Sequence, residues 1–172
     1  NVTIQGGSAT ATTGGYAAVV AVDAQTIDLD GNLKVYGSQA SPLLQSNVNN
    51  NDYALIQTDA AQTINVGGYA DVEAFQGSST GTGPLATAGL GAAIIDTNNG
   101  TNLQMITVNG ISGPDGGAPS GNALTVEGGN SGINHTGAEI EQAGTTGDQQ
   151  ISVPNATILV QGGADASAFA QI

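Results

Sequence analysis

One short phrase recurs four times and constrains the fold more than any other feature of the chain. It reads Gln-x-Ile-x-Leu/Val, at Gln25-Thr26-Ile27-Asp28-Leu29, Gln62-Thr63-Ile64-Asn65-Val66, Gln104-Met105-Ile106-Thr107-Val108 and Gln149-Gln150-Ile151-Ser152-Val153. The copies start at 25, 62, 104 and 149, in steps of 37, 42 and 45 residues. Self-similarity at such a period marks a repeat architecture in which each unit buries its apolar face on the next. A protein of stacked copies works through its length and surface, not through one catalytic pocket.

Two further phrases keep step with the first. An Asn-led phrase closing on Gly-Gly or Gly-Ser appears at Asn1 to Gly7, Asn32 to Ser38, Asn122 to Gly129 and Asn155 to Gly163, with a degenerate copy from Tyr69 to Ser78. An Ala-x-Val/Ile phrase appears at Ala17-Ala18-Val19, Ala54-Leu55-Ile56, Ala138-Glu139-Ile140 and Ala170-Gln171-Ile172, with Ala92 to Ile95 in the same place of the third repeat. The order is fixed: Asn phrase, a Gly/Ser/Thr loop of variable length, Ala phrase, Gln phrase. Each alternates apolar with polar over about five residues, which is the strand signature.

The Gln phrase and the next Asn phrase are joined by a few residues only, as in Leu29-Asp30-Gly31-Asn32. They are therefore neighbouring faces of one turn of the chain. This predicts an all-β parallel β-helix (a β-solenoid) of about four and a half triangular, three-stranded rungs, with like strands ~4.8 Å apart. The repeats run approximately 1–31, 32–68, 69–121, 122–154 and, in part, 155–172, as a single segment. In the first copies Val2, Ile4, Ala17, Val19, Ile27 and Leu29 should face inward, and Thr3, Gln5, Thr26 and Asp28 outward. The variable Gly/Ser/Thr loops, such as Gly77 to Gly91, collect on one side, often the binding side of such a fold.

Two ladders follow. Gln25, Gln62, Gln104 and Gln149 should stack, each amide donating to the next carbonyl, and Asn1, Asn32, Asn122 and Asn155 should do the same at a turn. Tyr69 breaks the Asn column. In its copy, alternation back from Phe75 points Glu73 inward, and a bulge is expected to relieve that cost.

Composition narrows the function. The 172 residues include one basic side chain, Lys34, against fourteen acidic ones, for a net charge of −13. Phosphate binding needs several Lys or Arg, so nucleic acid is excluded. An anionic membrane surface and an acidic polysaccharide are unfavourable for the same reason. The chain has 27 Gly and little charge, yet 39% of its residues are apolar and fall in short β-branched alternations, which argues for a folded chain. There is no Cys, hence no disulfide framework or thiolate metal site. No apolar run approaches the ~20 residues of a membrane span. No leader pattern is read, and the chain opens and stops inside strand-like phrases; the expectation is a mature fragment or a segment of a longer array.

The phrase Gln62-Thr63-Ile64-Asn65-Val66-Gly67-Gly68, together with Asn-led strands such as Asn1-Val2-Thr3-Ile4-Gln5-Gly6-Gly7-Ser8 and then Ala-x-Ile, resembles the repeats of filamentous haemagglutinin-type exoproteins. These are large two-partner-secreted proteins of Gram-negative bacteria, and the resemblance covers nearly the whole chain. It implies a right-handed β-helix, export through an outer-membrane partner, an extracellular or cell-surface location, and adhesive or matrix roles including biofilm. The family's N-terminal secretion domain is not in this stretch.

Catalysis finds little purchase. Parallel β-helices also include pectate lyases and polygalacturonases. A lyase of that kind needs a basic residue, and only Lys34 could serve, from an outward position in a plain repeat. The sole His, His135, lies in a loop where solvation is the ordinary state. No enzyme activity is expected. Asp28-Leu29-Asp30-Gly31-Asn32 places oxygen ligands at alternate positions, a hint of Ca²⁺ binding at Asp28 and Asp30, but the pattern lacks a later Glu and does not recur. Asp115-Gly116-Gly117 is weaker still. A polar turn is the simpler reading, so no cofactor is expected. Asn-x-Ser/Thr at Asn1, Asn99, Asn134 and Asn155 is common by chance in so Asn- and Thr-rich a chain.

The expected function is structural: a secreted segment that forms or extends an extracellular fibre or cell-surface stalk. Its partner would be itself, stacked end to end, or flanking repeats of the same chain. The alternative is an adhesin or glycan-binding module using the loops at Asn47 to Asp52, Gly77 to Gly91 and Ser112 to Asn122. Aromatics for sugar stacking are scarce: Tyr16, Tyr36, Tyr53 and Tyr69, with Tyr16 and Tyr53 sharing one repeat position.

Overall fold

The computed structural model describes residues 1–6, 17–37, 53–74, 92–97, 102–113, 116–118, 121–129, 137–142, 146–154, 156–163 and 168–172. Three parallel sheets hold most of them. The first contains β1 (Val2–Gln5), β4 (Leu33–Tyr36), β7 (Ala70–Glu73), β12 (Leu124–Glu127) and β15 (Ile158–Gln161), in that order. The second contains β2 (Ala17–Ala21), β5 (Tyr53–Thr58), β8 (Ala92–Thr97), β13 (Gly137–Gln142) and β16 (Phe169–Gln171). The third contains β3 (Gln25–Leu29), β6 (Gln62–Val66), β9 (Gln104–Val108) and β14 (Gln149–Ser152). The chain visits the sheets cyclically, first, second, third, and each return lays a strand on its predecessor. We call one such pass a circuit.

The register is set by what must be buried. In the third sheet Ile27, Ile64, Ile106 and Ile151 are cross-strand partners, with Leu29, Val66 and Val108 beside them. In the second sheet Ala17, Ala54, Ala93, Ala138 and Ala170 align, and Val19, Ile56, Ile95 and Ile140 form the next column. In the first sheet Val35, Val72 and Val126 align with Ile4 and Val160. A slip of one residue would turn each set out to solvent, so burial specifies the pairing strongly.

Packing is complete only in the middle circuits. Ile64, Val66, Ile106, Val108, Ile56, Ile95 and Ile140 are fully buried. The same columns are half-buried at Ile27, Leu29, Ile151 and Val153. Val19 was expected inside. It occupies the inward column opposite Ile56 but is 40% exposed, because β2 is an edge strand of the first circuit and has a neighbour on one side only. Ile158, Val160 and Phe169 are exposed at the other end.

The connections from the first sheet to the second span residues 6–16, 37–52, 74–91, 128–136 and 162–168. The loops at Asn47 to Asp52 and Gly77 to Gly91 lie outside the described residues. The third repeat has an insertion at a different corner. There β10 (Ser112–Gly113) and β11 (Gly116–Gly117) pair antiparallel between β9 and β12. No helix is present among the described residues, and hence none long and apolar enough to cross a membrane.

Candidate functional site

Two constellations carry the polar chemistry. One is the Gln row inside the third sheet. Gln62 Nε2 donates to Gln25 Oε1 at 2.9 Å, Gln104 Nε2 to Gln62 Oε1 at 3.0 Å, and Gln149 Nε2 to Gln104 Oε1 at 2.7 Å. The first residue of each third-sheet strand points inward, where a lone amide would be costly; the row satisfies it. Each amide has a second proton, which goes to a carbonyl of the second sheet. Gln25 uses Gln57 O, Gln62 uses Asp96 O and Gln104 uses Glu141 O, at 3.4, 3.3 and 2.9 Å. Gln57, Asp96 and Glu141 are themselves cross-strand partners, so the three contacts are one contact repeated.

The Asn row departs from expectation. Asn1 and Asn32 are in register, and the oxygen of each side-chain amide accepts a backbone N–H of the next circuit. Asn1 Oδ1 accepts the backbone N–H of Asn32 at 2.7 Å, and Asn32 Oδ1 accepts that of Tyr69 at 3.1 Å. Asn122 does not continue the row. Leu124 pairs with Ala70, which puts Ala123 over Tyr69 and leaves Asn122 over Gly68, one residue too early. The cause is that Leu124 and Val126 must face inward, and the chain between Asn122 and Leu124 has one more residue than in the copies led by Asn1 and Asn32. Thr157 occupies the row in the last circuit and its hydroxyl donates to Asn122 Oδ1. Asn155 lies outside the described residues.

The second constellation is the outward face of the first sheet. Lys34, Asp71 and Thr125 are cross-strand partners, and Tyr36, Glu73 and Glu127 form the next line. Lys34 Nζ sits 5.4 Å from the centre of the Tyr69 ring. Asp71 has no exposed surface. Its Oδ2 accepts from Tyr36 Oη at 3.5 Å and Thr125 also bonds the carboxylate, while Oδ1 has no hydrogen-bond partner among the described residues. Burial raises the Asp71 pKa, against the opposing pull of Thr125 and Lys34. Burial, then Asp71 and Glu127, pushes Glu73 up to about 7. Tyr36 is pushed up by burial and by the carboxylates of Asp71 and Glu73. Burial thus favours the neutral form of both Asp71 and Glu73, and Lys34 is the cation of the cluster.

Glu73 therefore does not point inward and needs no bulge. Val72 pairs with Val35 and Val126 in the core, so Glu73 falls on the outer face, half-buried beside Tyr36 and Glu127. Phe75, from which the opposite face was inferred, lies outside the described residues. A signal for the cluster was present in the sequence: aligning the Asn phrases on Val35, Val72 and Val126, not on the leading Asn, brings these side chains into lines.

Asp28 and Asp30 are exposed. Asp28 Oδ1 accepts from Asn65 Nδ2 at 2.6 Å, its cross-strand neighbour. Among the described residues no group of three or more His, Cys, Asp or Glu is arranged to hold a metal ion. Tyr53 opens β5. Tyr16, His135, Asp115, Asn99 and Asn134 lie outside the described residues. No family model, no curated protein and no solved structure matches this chain.

Proposed function

We propose that the chain is a segment of right-handed parallel β-helix with a structural role, forming or extending a secreted fibre or cell-surface stalk by the addition of circuits along its axis. The observation that carries this reading is the Gln row. It runs through every strand of the third sheet in one direction and reuses one contact per circuit. Such a device is indifferent to the number of circuits and gains from each one added. The apolar columns support the same reading, because they run to edge strands where Val19, Ile27, Leu29, Ile151 and Val160 are half-buried or exposed. Edges of that kind pair with further strands.

The role assigned is mechanical, without a catalytic step or cofactor. The extracellular, Gram-negative setting rests on the resemblance to filamentous haemagglutinin-type repeats. A net charge of −13 on one segment repels neighbours side by side, so association is axial and lateral bundling increases with salt. Negative-stain microscopy with fibre diffraction tests the reading. Filaments of uniform width with a ~4.8 Å repeat along the axis are expected. Monodisperse particles at every concentration and ionic strength would overturn it.

A further inference from the structure

The outward face of the first sheet sets the only lysine of the chain beside a fully buried carboxyl. Lys34 and Asp71 are cross-strand partners on β4 and β7. One strand spacing (~4.8 Å) separates their backbones, which a lysine side chain spans easily. Lys34 is half-buried, and its charge acts on Asp71, Glu73 and Tyr36 alike. Its Nζ lies 5.4 Å from the centre of the Tyr69 ring, which keeps the amine on this face. The flanking strands bring Thr3 and Gln5 on one side and Thr125 and Glu127 on the other, so Glu127 is the one further charge.

The two oxygens of Asp71 are held differently. Tyr36 Oη donates to Oδ2 at 3.5 Å and Thr125 also bonds the carboxyl, whereas buried Oδ1 has no hydrogen-bond partner among the described residues. One oxygen is gripped by donors and the other can depart. Burial favours the neutral acid, whose carbon an amine can attack; a carboxylate carbon resists attack. Glu73 stands two residues along β7 on the same face, and its carboxyl, pushed up to about 7, can take and return a proton near neutrality.

We propose that Lys34 and Asp71 join in an isopeptide bond, made by the chain on itself, that ties β4 to β7. The Glu73 carboxylate takes a proton from the Lys34 ammonium. Nζ then attacks Asp71 Cγ, and Tyr36 and Thr125 meet the charge that develops on Oδ2. Glu73 passes its proton to the Oδ1 hydroxyl, the Cγ–Oδ1 bond breaks, and water leaves. Nζ gives its surplus proton back to Glu73. One amide and one water form, Glu73 ends protonated, and no oxidant, reductant or activated donor is consumed. Register between paired strands supplies the proximity, and exclusion of water from Asp71 opposes the reverse hydrolysis. Apart from the main chain, successive circuits are joined by hydrogen bonds and packing. This bond would make the contact between the second and third circuits covalent, so tension along the axis would load the chain there and not the sheet. The inference goes beyond the axial reading and stands without it.

Intact-mass spectrometry of the purified 172-residue protein, in a preparation whose circular dichroism shows β-sheet, reads the bond directly. The mass should fall below that of the sequence by one water. Trypsin gives a second reading, because Lys34 is the only Lys or Arg and an acylated lysine is not cut. The denatured protein should therefore survive trypsin whole. Lys34→Arg and Asp71→Ala should both show the full mass and be cut into two pieces. Glu73→Gln, which keeps the shape but cannot carry the proton, should fold and yet be recovered largely at full mass. Where Asp71→Ala fails to fold, Lys34→Arg still decides. Full mass with complete cleavage of the folded parent protein would overturn the inference, as would a water loss that persists in Lys34→Arg. Filaments built from protein at full mass would remove the bond and leave the axial reading standing; bonded protein that stays monodisperse would do the reverse.

Discussion

Asn32 Oδ1 accepts the backbone N–H of Tyr69, and the residue that makes room for it is Gly68, where a Cβ would lie 2.0 Å from that oxygen. Asn1, Asn32 and Gly31 repeat the arrangement one circuit earlier, with 2.2 Å to a Cβ at Gly31. The Asn side chain thus latches the corner between the third and first sheets. The glycine is required for space and not for an unusual backbone.

Gly68→Ala should push Asn32 away and leave the Tyr69 amide unpaired in a buried corner. A loss of about 2 kcal/mol is expected, within the usual 1–3 kcal/mol for a stranded donor. Asn32→Ala should cost a similar amount, and the double substitution should be less than additive. Gly117→Ala, where the nearest atom to a Cβ is 3.7 Å away, is the neutral control. Urea unfolding followed by circular dichroism measures all four.

Ile64 is fully buried at the centre of its column, with Ile27 on one side and Ile106 on the other. Ile64→Asp should cost about 4 kcal/mol by leaving a charge unpaired in the core, and Ile64→Val about 1 kcal/mol. The same changes at half-buried Ile27 should cost clearly less. Equal losses at the two sites in thermal unfolding would contradict the burial gradient along the column.

Gln62→Ala removes two donated bonds and the acceptor for Gln104. A loss of about 2–3 kcal/mol follows from the stranded partners. Gln62→Glu should be at least as damaging, since an ionised carboxylate would face Gln25 Oε1 with no proton to give. Rescue of Gln62→Glu at low pH, seen as a rise in Tm, would identify the lost donor as the cause.

The Glu73 carboxyl has a pKa of about 7 in the fold and an ordinary value of 4.5. Between those values the folded chain keeps a proton that the unfolded chain has released. Stability should therefore fall as pH rises from about 4.5 through 7, with the full contribution present below that window. Glu73→Gln should flatten the slope. A residual slope is expected from Glu141, whose hydrogen bond with Glu139 also lifts it to about 7. Denaturant midpoints measured at half-unit pH steps would settle the sign.

The strands of the third sheet were fully legible, because Gln, Ile and Leu/Val recur at fixed offsets and one alternation sets both face and register. The first sheet was less so. Its phrases begin at a corner, where the extra residue before Leu124 changes the neighbour of Asn122 without disturbing any pattern within the phrase. Alternation also reports which way a residue points, not what lies beside it. Lys34, Asp71 and Glu127 are far apart in sequence and become neighbours only through the stacking of three circuits. The β10–β11 hairpin had no apolar alternation to announce it.

The Gln row has a consequence for symmetry. Every side-chain amide in it is oriented alike, so one end offers N–H and the other offers C=O. Two copies meeting about a two-fold axis would set like groups against each other. Only translation along the axis with rotation about it brings unlike ends together, and that operation never closes. Any assembly propagated through this row has distinguishable tips, which would grow at different rates and could be blocked independently.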